Sequence, residues 1–285
     1  LQATCPTLYL IDNPARIVPP ALNIGLRHAR GEIVVRVDGH CEIAPNYVSH
    51  CVRHLLEDDI DAVGGPIETV GETDEAQAIA LAMSSWFGVG GSAFRTIQDR
   101  ALLVETVAFP AYPRETLGRL GPFDEELVRN QDDEYNYRLL KSGGRILLSP
   151  DIRSRYYSRS SLRSLWRQYY QYGYWKVRVM QKHPRQMRLR QFVPAAFVAA
   201  LVGSAALGAL FRPFWWLLAL TLALYAVTDL AASLSLGQAH GWRYAPRLLI
   251  IHPILHLSYG LGFLAGLARF AGRFRAPGRS WQPAR

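Results

Sequence analysis

The uneven distribution of apolar residues constrains this chain most strongly. They make up 49% of its 285 residues, yet the long apolar stretches all follow residue 190, at 192–211, 214–236 and 248–267. A helix of about 20 apolar residues spans the roughly 30 Å hydrocarbon core of a bilayer. The sequence therefore predicts a membrane region over 186–285, preceded by an α/β domain over 1–185.

The formal net charge of +9 comes partly from a basic run that stops where the first apolar stretch begins. The run consists of Lys176, Arg178, Lys182, Arg185, Arg188 and Arg190. Basic residues beside an apolar span favour the cytoplasmic side of a membrane, where the lipids are anionic. No basic motif interleaved with aromatic residues, as in RNA-binding proteins, accompanies it. We expect the domain before residue 186 to lie on the cytoplasmic face of the inner membrane, and we expect no nucleic-acid partner.

The third apolar stretch raises a question of topology. If the first two stretches form a hairpin, the chain returns to the cytoplasm near Arg243 and Arg247. A third full span would then place the arginine-rich tail outside, against the usual charge asymmetry. Either this stretch is re-entrant or interfacial, or the chain breaks the rule, and we favour the first alternative.

Before residue 190, predicted strands and helices alternate, which indicates a mostly parallel sheet. The predicted strands cover 7–11, 33–37, 62–67, 104–110 and 145–148, and the predicted helices cover 20–30, 45–56, 76–86, 114–120, 132–142 and 161–180. Residues 88–92 are glycine-rich and are predicted as a flexible loop near a substrate. Ligands of such sheets gather at the carboxyl ends of the strands.

Asp38-Gly39-His40 ends the confident strand over 33–37. An Asp and a His at a strand end could hold a divalent metal ion, because a metal on a diphosphate accepts hard oxygen ligands and manganese also accepts histidine. Asp38 could also contact a ribose. The simpler alternative is an Asp-Gly turn. The apolar strand before this segment and the acidic helix after it favour the metal site.

The second segment of interest is Asn130-Gln131-Asp132-Asp133-Glu134, which opens a predicted helix. Acids are favoured in the first turn of any helix, so the cluster could be structural. A sugar transfer from a nucleotide diphosphate, however, needs a carboxylate separate from the metal, which takes the proton of the attacking hydroxyl. We assign that role of general base to Asp132.

Residues 167–176 are dense in tyrosine and tryptophan. Such a helix is typical of a membrane surface, where amphipathic aromatic side chains are favoured. It could equally provide a platform for acceptor sugars, and the two interpretations are compatible.

Few other polar residues carry a chemical signal. Asp229 within the second apolar stretch is a functional candidate because intramembrane acids are costly, although it could lie near an interface. His252 and His256 share a helix face, but Pro253 between them and no nearby acid argue against a metal site. The three cysteines, Cys5, Cys41 and Cys51, match no zinc motif and are expected to be reduced thiols.

Several segments together resemble glycosyltransferase family 2, and more narrowly the succinoglycan-type bacterial exopolysaccharide glucosyltransferases. They are Ala21-Leu-Asn-Ile-Gly25, Ala29-Arg-Gly-Glu-Ile33, Val37-Asp-Gly-His40, Gly121-Pro-Phe-Asp-Glu125, Asn130-Gln-Asp-Asp-Glu134 and Arg167-Gln-Tyr-Tyr-Gln-Tyr-Gly173. The resemblance runs from about residue 8 to residue 180. Each motif alone is unspecific, and their order and spacing carry the similarity.

The resemblance implies a GT-A fold, Rossmann-like and mostly parallel, with inversion at the anomeric carbon. It also implies a nucleotide-sugar donor (UDP-glucose), a Mg²⁺ or Mn²⁺ ion and a lipid-diphosphate-linked sugar acceptor. By that analogy Asp38 and His40 lie at the metal and diphosphate, Asn23 and Asp38 at the nucleotide-sugar, Asp132 is the base, and Gln131, Gln168, Gln171 and Tyr172 lie at the acceptor.

The chain departs from the family pattern in three places. Gln131 replaces the Glu of a Glu-Asp pair, and Gln171-Tyr172 replaces an Arg-Trp pair, which favours addition of a single sugar. The chain also opens at Leu1 in what resembles the middle of a domain, so we expect the first nucleotide-binding strand to be missing. Two alternatives stay open: a polyprenyl-phosphate glycosyltransferase, and a non-catalytic membrane subunit that recruits polysaccharide-assembly proteins.

Overall fold

The computed structural model describes residues 8–274. The strands are β1 (Ile33–Val35), β2 (Cys41–Ile43), β3 (Ala62–Gly65), β4 (Ile67–Val70), β5 (Leu102–Leu103), β6 (Ala108–Pro113), β7 (Ile146–Leu148) and β8 (Ser154–Tyr157). The helices are α1 (Val18–His28), α2 (Tyr47–Glu57), α3 (Asp74–Met83), α4 (Trp86–Val89), α5 (Ala93–Thr96), α6 (Arg114–Leu120), α7 (Gln131–Lys141), α8 (Leu162–Lys182), α9 (Val193–Gly208), α10 (Pro213–His240) and α11 (Ala245–Phe270).

The strands form two mixed sheets. The larger has the order β1-β6-β3-β7-β5 and the smaller β2-β8-β4. Only β3–β7 and β4–β8 pair in parallel, and the other four pairs are antiparallel. The predicted α/β class is therefore correct, but the predominantly parallel sheet was wrong. Strand–helix alternation gives parallel neighbours only when each helix crosses over to the next strand, whereas β6 enters between β1 and β3 in the reverse direction.

The predicted strand over 62–67 is divided between the two sheets. Pro66 separates β3 from β4, since proline has no amide hydrogen for the ladder. The chain also passes very close to Ile152 here, because a Cβ on Gly65 would lie 1.6 Å from the Ile152 carbonyl oxygen. The smaller sheet was not expected, and its strands have only three or four residues.

The predicted buried strand over 7–11 is wrong where it can be examined. Thr7 lies outside the described residues, and residues 8–11 form no strand. Tyr9 and Leu10 are 74% and 88% exposed. A strand needs a neighbour that satisfies its backbone hydrogen bonds, and none lies beside this segment between residues 8 and 274.

Two apolar clusters cover opposite faces of the larger sheet. Ala62 packs with Leu120 and Leu139, and Val63, the next residue, packs with Met83. This arrangement follows from the alternation of side chains along a strand. The cluster that contains Val63 and Met83 also includes Leu248, Ile251 and Leu255 of α11. The C-terminal helix is therefore part of the core of the α/β domain.

Two C-terminal segments are long and apolar enough to cross a bilayer, Pro213–His240 and Trp242–Phe274. They overlap the second and third apolar stretches of the sequence, 214–236 and 248–267. The first predicted span, 192–211, contains the shorter helix α9 of 16 residues, because the chain turns at 209–212. The α10 surface is largely exposed, as expected of a helix that contacts lipid, whereas α11 is partly buried by protein.

Helices α8 and α11 are in backbone contact through glycines. A Cβ on Gly173 would lie 2.0 Å from the Tyr259 carbonyl oxygen, and one on Gly262 would lie 2.0 Å from the Tyr170 carbonyl oxygen. Small residues let helices approach in this way. The aromatic helix over 161–180 is therefore attached along its length to the third apolar helix, which the sequence did not indicate.

Candidate functional site

The site begins at the end of β1, where Arg36 and Asp38 form a bidentate ion pair. Arg36 Nε and Nη2 donate to the two carboxylate oxygens of Asp38 over 2.8 and 2.9 Å. Burial lowers the pKa of Arg36, but the charges of Asp132 and Asp38 outweigh burial and raise this pKa above its ordinary value. Arg36 is thus bonded to one of the two acids that the sequence singled out and lies within the electrostatic influence of the other.

His40 lies just beyond this ion pair, edge-on to Tyr156 with 5.0 Å between the ring centres. Burial lowers its pKa, and Arg159, Arg36 and Arg129 lower it further against the opposing charge of Asp38. The imidazole is therefore neutral at physiological pH and keeps a nitrogen lone pair for a ligand.

Asp38 and His40 could supply two ligands to a metal ion. No group of three or more His, Cys, Asp or Glu side chains with metal-binding geometry occurs within residues 8–274. A Mg²⁺ ion is usually held by one or two protein ligands together with water and substrate phosphates. The residues present fit a metal ion that arrives with a diphosphate, provided that Asp38 shares its oxygens with Arg36.

The start of α7 faces this pair. Asn130 precedes the helix in the left-handed conformation, with φ of 62°, and its amide donates to the Tyr172 carbonyl oxygen over 2.9 Å. Asp132 follows in the first turn and contributes to the raised pKa values of Arg36 and Tyr172. The two motifs that lie about ninety residues apart in the sequence are therefore brought together.

The three acids of α7 have different environments. Asp133 forms an ion pair with the buried Lys176 of α8. Glu134 is buried against Arg138 and His183, each at 2.9 Å. Asp132 Oδ1 accepts a hydrogen bond from the following backbone amide over 2.9 Å. Asp133 and Glu134 thus hold the helix in place, and Asp132 is the acid with no cationic ion-pair partner in the described structure.

Gln131 does not face the solvent. It is 6% exposed, and its Oε1 atom has no hydrogen-bond partner within the described residues. The residue that replaces the expected Glu is thus a buried neutral amide beside the candidate base. A carboxylate there would have to be charged next to Asp132 or be protonated.

The predicted acceptor residues of α8 lie on the side of that helix that faces α7. Gln168 Nε2 donates to the Tyr172 hydroxyl over 2.8 Å. Gln171 Oε1 accepts from Arg129 Nε over 3.0 Å. Because Arg129 immediately precedes the α7 motif, these contacts fix α8 beside Asp132.

Asn23 occupies a structural position. Its Nδ2 donates to the Phe123 carbonyl oxygen over 2.9 Å and to Glu125 Oε1 over 2.8 Å, and its Oδ1 accepts from the Phe123 amide over 2.7 Å. Asn23 is 4% exposed. These contacts use its amide to brace the turn over 121–125, so contact with a nucleotide stays a prediction.

Sequence reasoning missed the basic residues of the site: Arg36, Arg129 and Arg159. One of them carried a usable signal. Arg36 is two residues before Asp38 on a strand, so the two side chains share a face. Arg129 and Arg159 reach the site from loops and had no such signal.

The membrane helices contain a polar cluster. His252 Nδ1 lies 2.7 Å from Asp229 Oδ1, and both side chains are buried. His256 bonds to the Phe87 carbonyl oxygen over 2.9 Å and to the Tyr225 hydroxyl over 2.8 Å. The expectation that no acid lies near the histidines was wrong, because Asp229 approaches from the neighbouring helix. The pairing gives this buried acid a hydrogen-bond partner, and the cluster joins α4, α10 and α11.

The chain was compared with known proteins. The sequence model described as "Glycosyl transferase family 2" matches residues 9–120. Succinoglycan biosynthesis protein ExoA of Rhizobium meliloti (strain 1021) is 30% identical, over 94% of this chain and 80% of the relative. The dolichyl N-acetyl-alpha-D-glucosaminyl phosphate 3-beta-D-2,3-diacetamido-2,3-dideoxy-beta-D-glucuronosyltransferase of Methanococcus voltae is 25% identical, over 61% of this chain and 56% of the relative. Among solved structures, GalNAc-T7 with UDP, GalNAc and Mn²⁺ superposes with a TM-score of 0.37 at 18% identity, covering 57% of this chain and 36% of that one.

Proposed function

The chain belongs to glycosyltransferase family 2, and we propose that it adds one hexose from a nucleotide-sugar to a polyprenyl-diphosphate-linked sugar during exopolysaccharide synthesis. It is a glycosyltransferase with the GT-A fold predicted for it. The observation that supports the proposal is that Asp132 lies near enough to the bidentate Arg36–Asp38 pair for its charge to act on Arg36. Polysaccharide synthesis is suggested by the name of the succinoglycan relative, and a lipid-linked acceptor by the name of the archaeal one. We take UDP-glucose as the donor from the resemblance of the sequence motifs to the succinoglycan-type glucosyltransferases.

In the proposed reaction the acceptor hydroxyl attacks the anomeric carbon from the face opposite the leaving diphosphate. The Asp132 carboxylate takes the hydroxyl proton, a new carbon–oxygen bond forms, and the bond from the sugar to the diphosphate breaks with its electron pair. The configuration at the anomeric carbon is thereby inverted. Asp132 is suited to this role because its neighbours Asp133 and Glu134 are already committed to ion pairs.

We assign the donor diphosphate to the region of Asp38 and His40. Arg36, Arg129 and Arg159 lie near enough to influence His40 and would offset the negative charge of the leaving group. A bound Mg²⁺ or Mn²⁺ would supply further positive charge there, with Asp38 and His40 as its ligands from the protein.

The acceptor is assigned to the surface between α7 and α8. Gln168 and Tyr172 are joined by a hydrogen bond, and Gln171 is held by Arg129. Such fixed amides and hydroxyls can orient sugar hydroxyls without reorganisation. Gln131, buried behind Asp132, would set the position of the base rather than contact the sugar.

We propose that α9 and α10 form the membrane hairpin and that α11 lies at the membrane surface. A helix of 26 residues is about 39 Å long, and α11 contacts the domain from Leu248 to Phe270. A helix that crossed the bilayer would leave the domain after its first turns. This arrangement keeps both ends of α11 on the cytoplasmic side of the inner membrane.

The test is sugar transfer in membranes from labelled UDP-glucose to a sugar-diphosphate polyprenyl lipid, with Mn²⁺ and with EDTA. We expect label in the lipid fraction, and a loss of roughly 10²-fold or more with Asp132→Asn. Asp99→Asn, a substitution of the same kind at an exposed position outside the site, is the control.

Other outcomes would redirect the proposal. Equal transfer by Asp132→Asn and the parent would remove Asp132 as the base. Label on bare polyprenyl phosphate would identify a polyprenyl-phosphate glycosyltransferase. A chain that neither binds UDP nor transfers sugar would favour a non-catalytic assembly subunit.

A further inference from the structure

A cavity of about 320 Å³ opens between the α/β domain and the start of the membrane region. Residues 91–93 and 102–106 form its walls, and Arg188 and Arg190 lie at its rim. We call it the arginine pocket. Neither arginine belongs to the candidate donor site.

The pocket carries fixed positive charge. Arg190 donates to the carbonyl oxygens of Gly91 and Gly90 over 2.8 and 3.2 Å. Arg188 forms an ion pair with Glu105, and Arg190 lies 3.8 Å from the same carboxylate. Two guanidinium groups thus share one acid, which leaves an excess of one positive charge. Their side chains are 61% and 42% exposed, so both can reach a ligand.

The location of the pocket indicates a ligand with an apolar tail. Helix α9 begins at Val193, three residues after Arg190. Leu189, between the two arginines, is 88% exposed, and Val193 is 62% exposed. Exposed apolar side chains next to exposed cations fit the boundary between lipid tails and anionic headgroups.

The pocket also connects to the catalytic helix. Thr106 in its wall accepts a hydrogen bond from Asn136 Nδ2 over 2.8 Å. Asn136 lies one turn beyond Asp132 on the same face of α7, a separation of about 6 Å along the helix axis. The pocket wall is therefore in direct contact with the helix that carries Asp132.

We infer that the arginine pocket binds the diphosphate of the lipid-linked acceptor. The identity of the acceptor is taken from the proposed function. The chemistry of the ligand, a phosphate group with an apolar tail, is taken from the residues of the pocket. Guanidinium groups bind phosphate oxygens with two parallel hydrogen bonds. The donor diphosphate has a different set of cations near Asp38, namely Arg36, Arg129 and Arg159. The pocket is thus assigned to the lipid rather than to the nucleotide.

The experiment measures binding to the purified full chain in detergent. The probe is farnesyl diphosphate, with farnesol as the tail without phosphate and UDP as the diphosphate without a tail. The variants are the double substitution Arg188→Gln/Arg190→Gln and the matched control Arg185→Gln, an exposed arginine of the same basic run outside the pocket. Thermal unfolding of each variant shows whether it is folded.

We expect the double variant to bind farnesyl diphosphate roughly tenfold or more weakly than the parent, with UDP and farnesol binding unchanged. Arg185→Gln should bind like the parent. Glu105→Gln, which removes the competing carboxylate, should bind farnesyl diphosphate more tightly.

Three results would overturn the inference: no binding of farnesyl diphosphate by the parent, equal binding by the double variant, or an equal loss with Arg185→Gln. A loss of UDP binding in the double variant would instead assign the pocket to the donor. The parent could bind farnesyl diphosphate, and the double variant fail to bind it, while the parent transfers no sugar. In that case the proposed function fails and the pocket assignment stands.

Discussion

Gly173 of α8 and Tyr259 of α11 meet backbone to backbone, leaving no room for even a methyl group between them. Gly262 and Tyr170 make the reciprocal contact. The helix that carries the proposed acceptor residues is therefore positioned by the C-terminal helix α11.

Gly262→Ala should disrupt this contact. The added methyl group would lie 2.0 Å from the Tyr170 carbonyl oxygen, so the helices must separate, at a cost of about 1–3 kcal/mol. Thermal unfolding in detergent measures the change. Gly203→Ala in α9 is the matched control, because nothing lies within 4 Å of its added Cβ. A Gly262→Ala protein as stable as the control would show that the helices are not in contact in solution.

Asn23→Ala should lower stability by about 1–3 kcal/mol, because it leaves buried backbone groups of the 121–125 turn without partners. The exposed Asn46 provides the control substitution. Thermal unfolding and the donor KM are measured together. A raised donor KM with unchanged unfolding would instead support the predicted contact with the nucleotide.

Arg36→Gln should lower kcat/KM for the donor by roughly tenfold or more, because Asp38 loses the partner that orients it. Arg36→Lys retains the charge but cannot make both hydrogen bonds, so an intermediate value is expected. Steady-state transfer kinetics measure the effect, and Arg30→Gln, an exposed substitution on the preceding segment, should leave it unchanged. Unaltered kinetics in Arg36→Gln would remove this residue from the site.

Acid stability should report on Glu126. Burial raises its pKa, but hydrogen bonds from Arg178 and Lys182 outweigh burial and lower the pKa from 4.5 to about 2. The stabilising contribution of a carboxylate with a lowered pKa is fully present above pH 4.5 and is lost as the pH falls towards 2. Glu126→Gln should therefore be less stable than the parent near neutral pH.

Denaturant unfolding in detergent, measured from pH 7 down to pH 2, tests this expectation. The difference in stability between Glu126→Gln and the parent should shrink below pH 4.5. Glu57→Gln, at an exposed position of α2, should show no such pH dependence. A difference in unfolding free energy that stays constant from pH 7 to pH 2 would contradict the ion pairs of Glu126 with Arg178 and Lys182.

Membrane topology can be tested by labelling single added cysteines with an impermeant maleimide in intact cells. Arg243→Cys and Arg269→Cys, near the two ends of α11, should be labelled only after permeabilisation. Arg212→Cys, in the turn between α9 and α10, should be labelled from outside. The unaltered chain is the background control, and burial raises the pKa of its Cys51 to about 12, which makes that thiol unreactive. External labelling at position 269 would show that α11 crosses the membrane.

The sequence predicted those elements best whose ends are set by local chemistry. Helix α6 was predicted over its observed residues, and α7 lies within one residue of the prediction. The missed strands β2, β5 and β8 have two to four residues, too few for a periodic pattern. The directions of the strands were also beyond local reasoning, because they depend on which neighbours pair.

In the candidate site, too, residues within a local motif could be predicted from the sequence, whereas contacts between distant segments could not. Asp38 could be predicted at the end of a strand and Asp132 at the start of a helix, because a local pattern marks each of these positions. The brace formed by Asn23 joins residues 100 positions apart, and the approach of Asp229 to His252 depends on the packing of two helices. Neither contact leaves a local pattern in the sequence.

The position of Leu248, Ile251 and Leu255 in the domain core has a consequence for biosynthesis. These residues emerge from the ribosome about two hundred residues after Tyr47, with which they share a cluster. The core of the first domain is thus completed by α11, which is translated after α9 and α10. Folding of the α/β domain therefore waits for a helix of the C-terminal region, and a nascent chain that ends before α11 lacks part of that core.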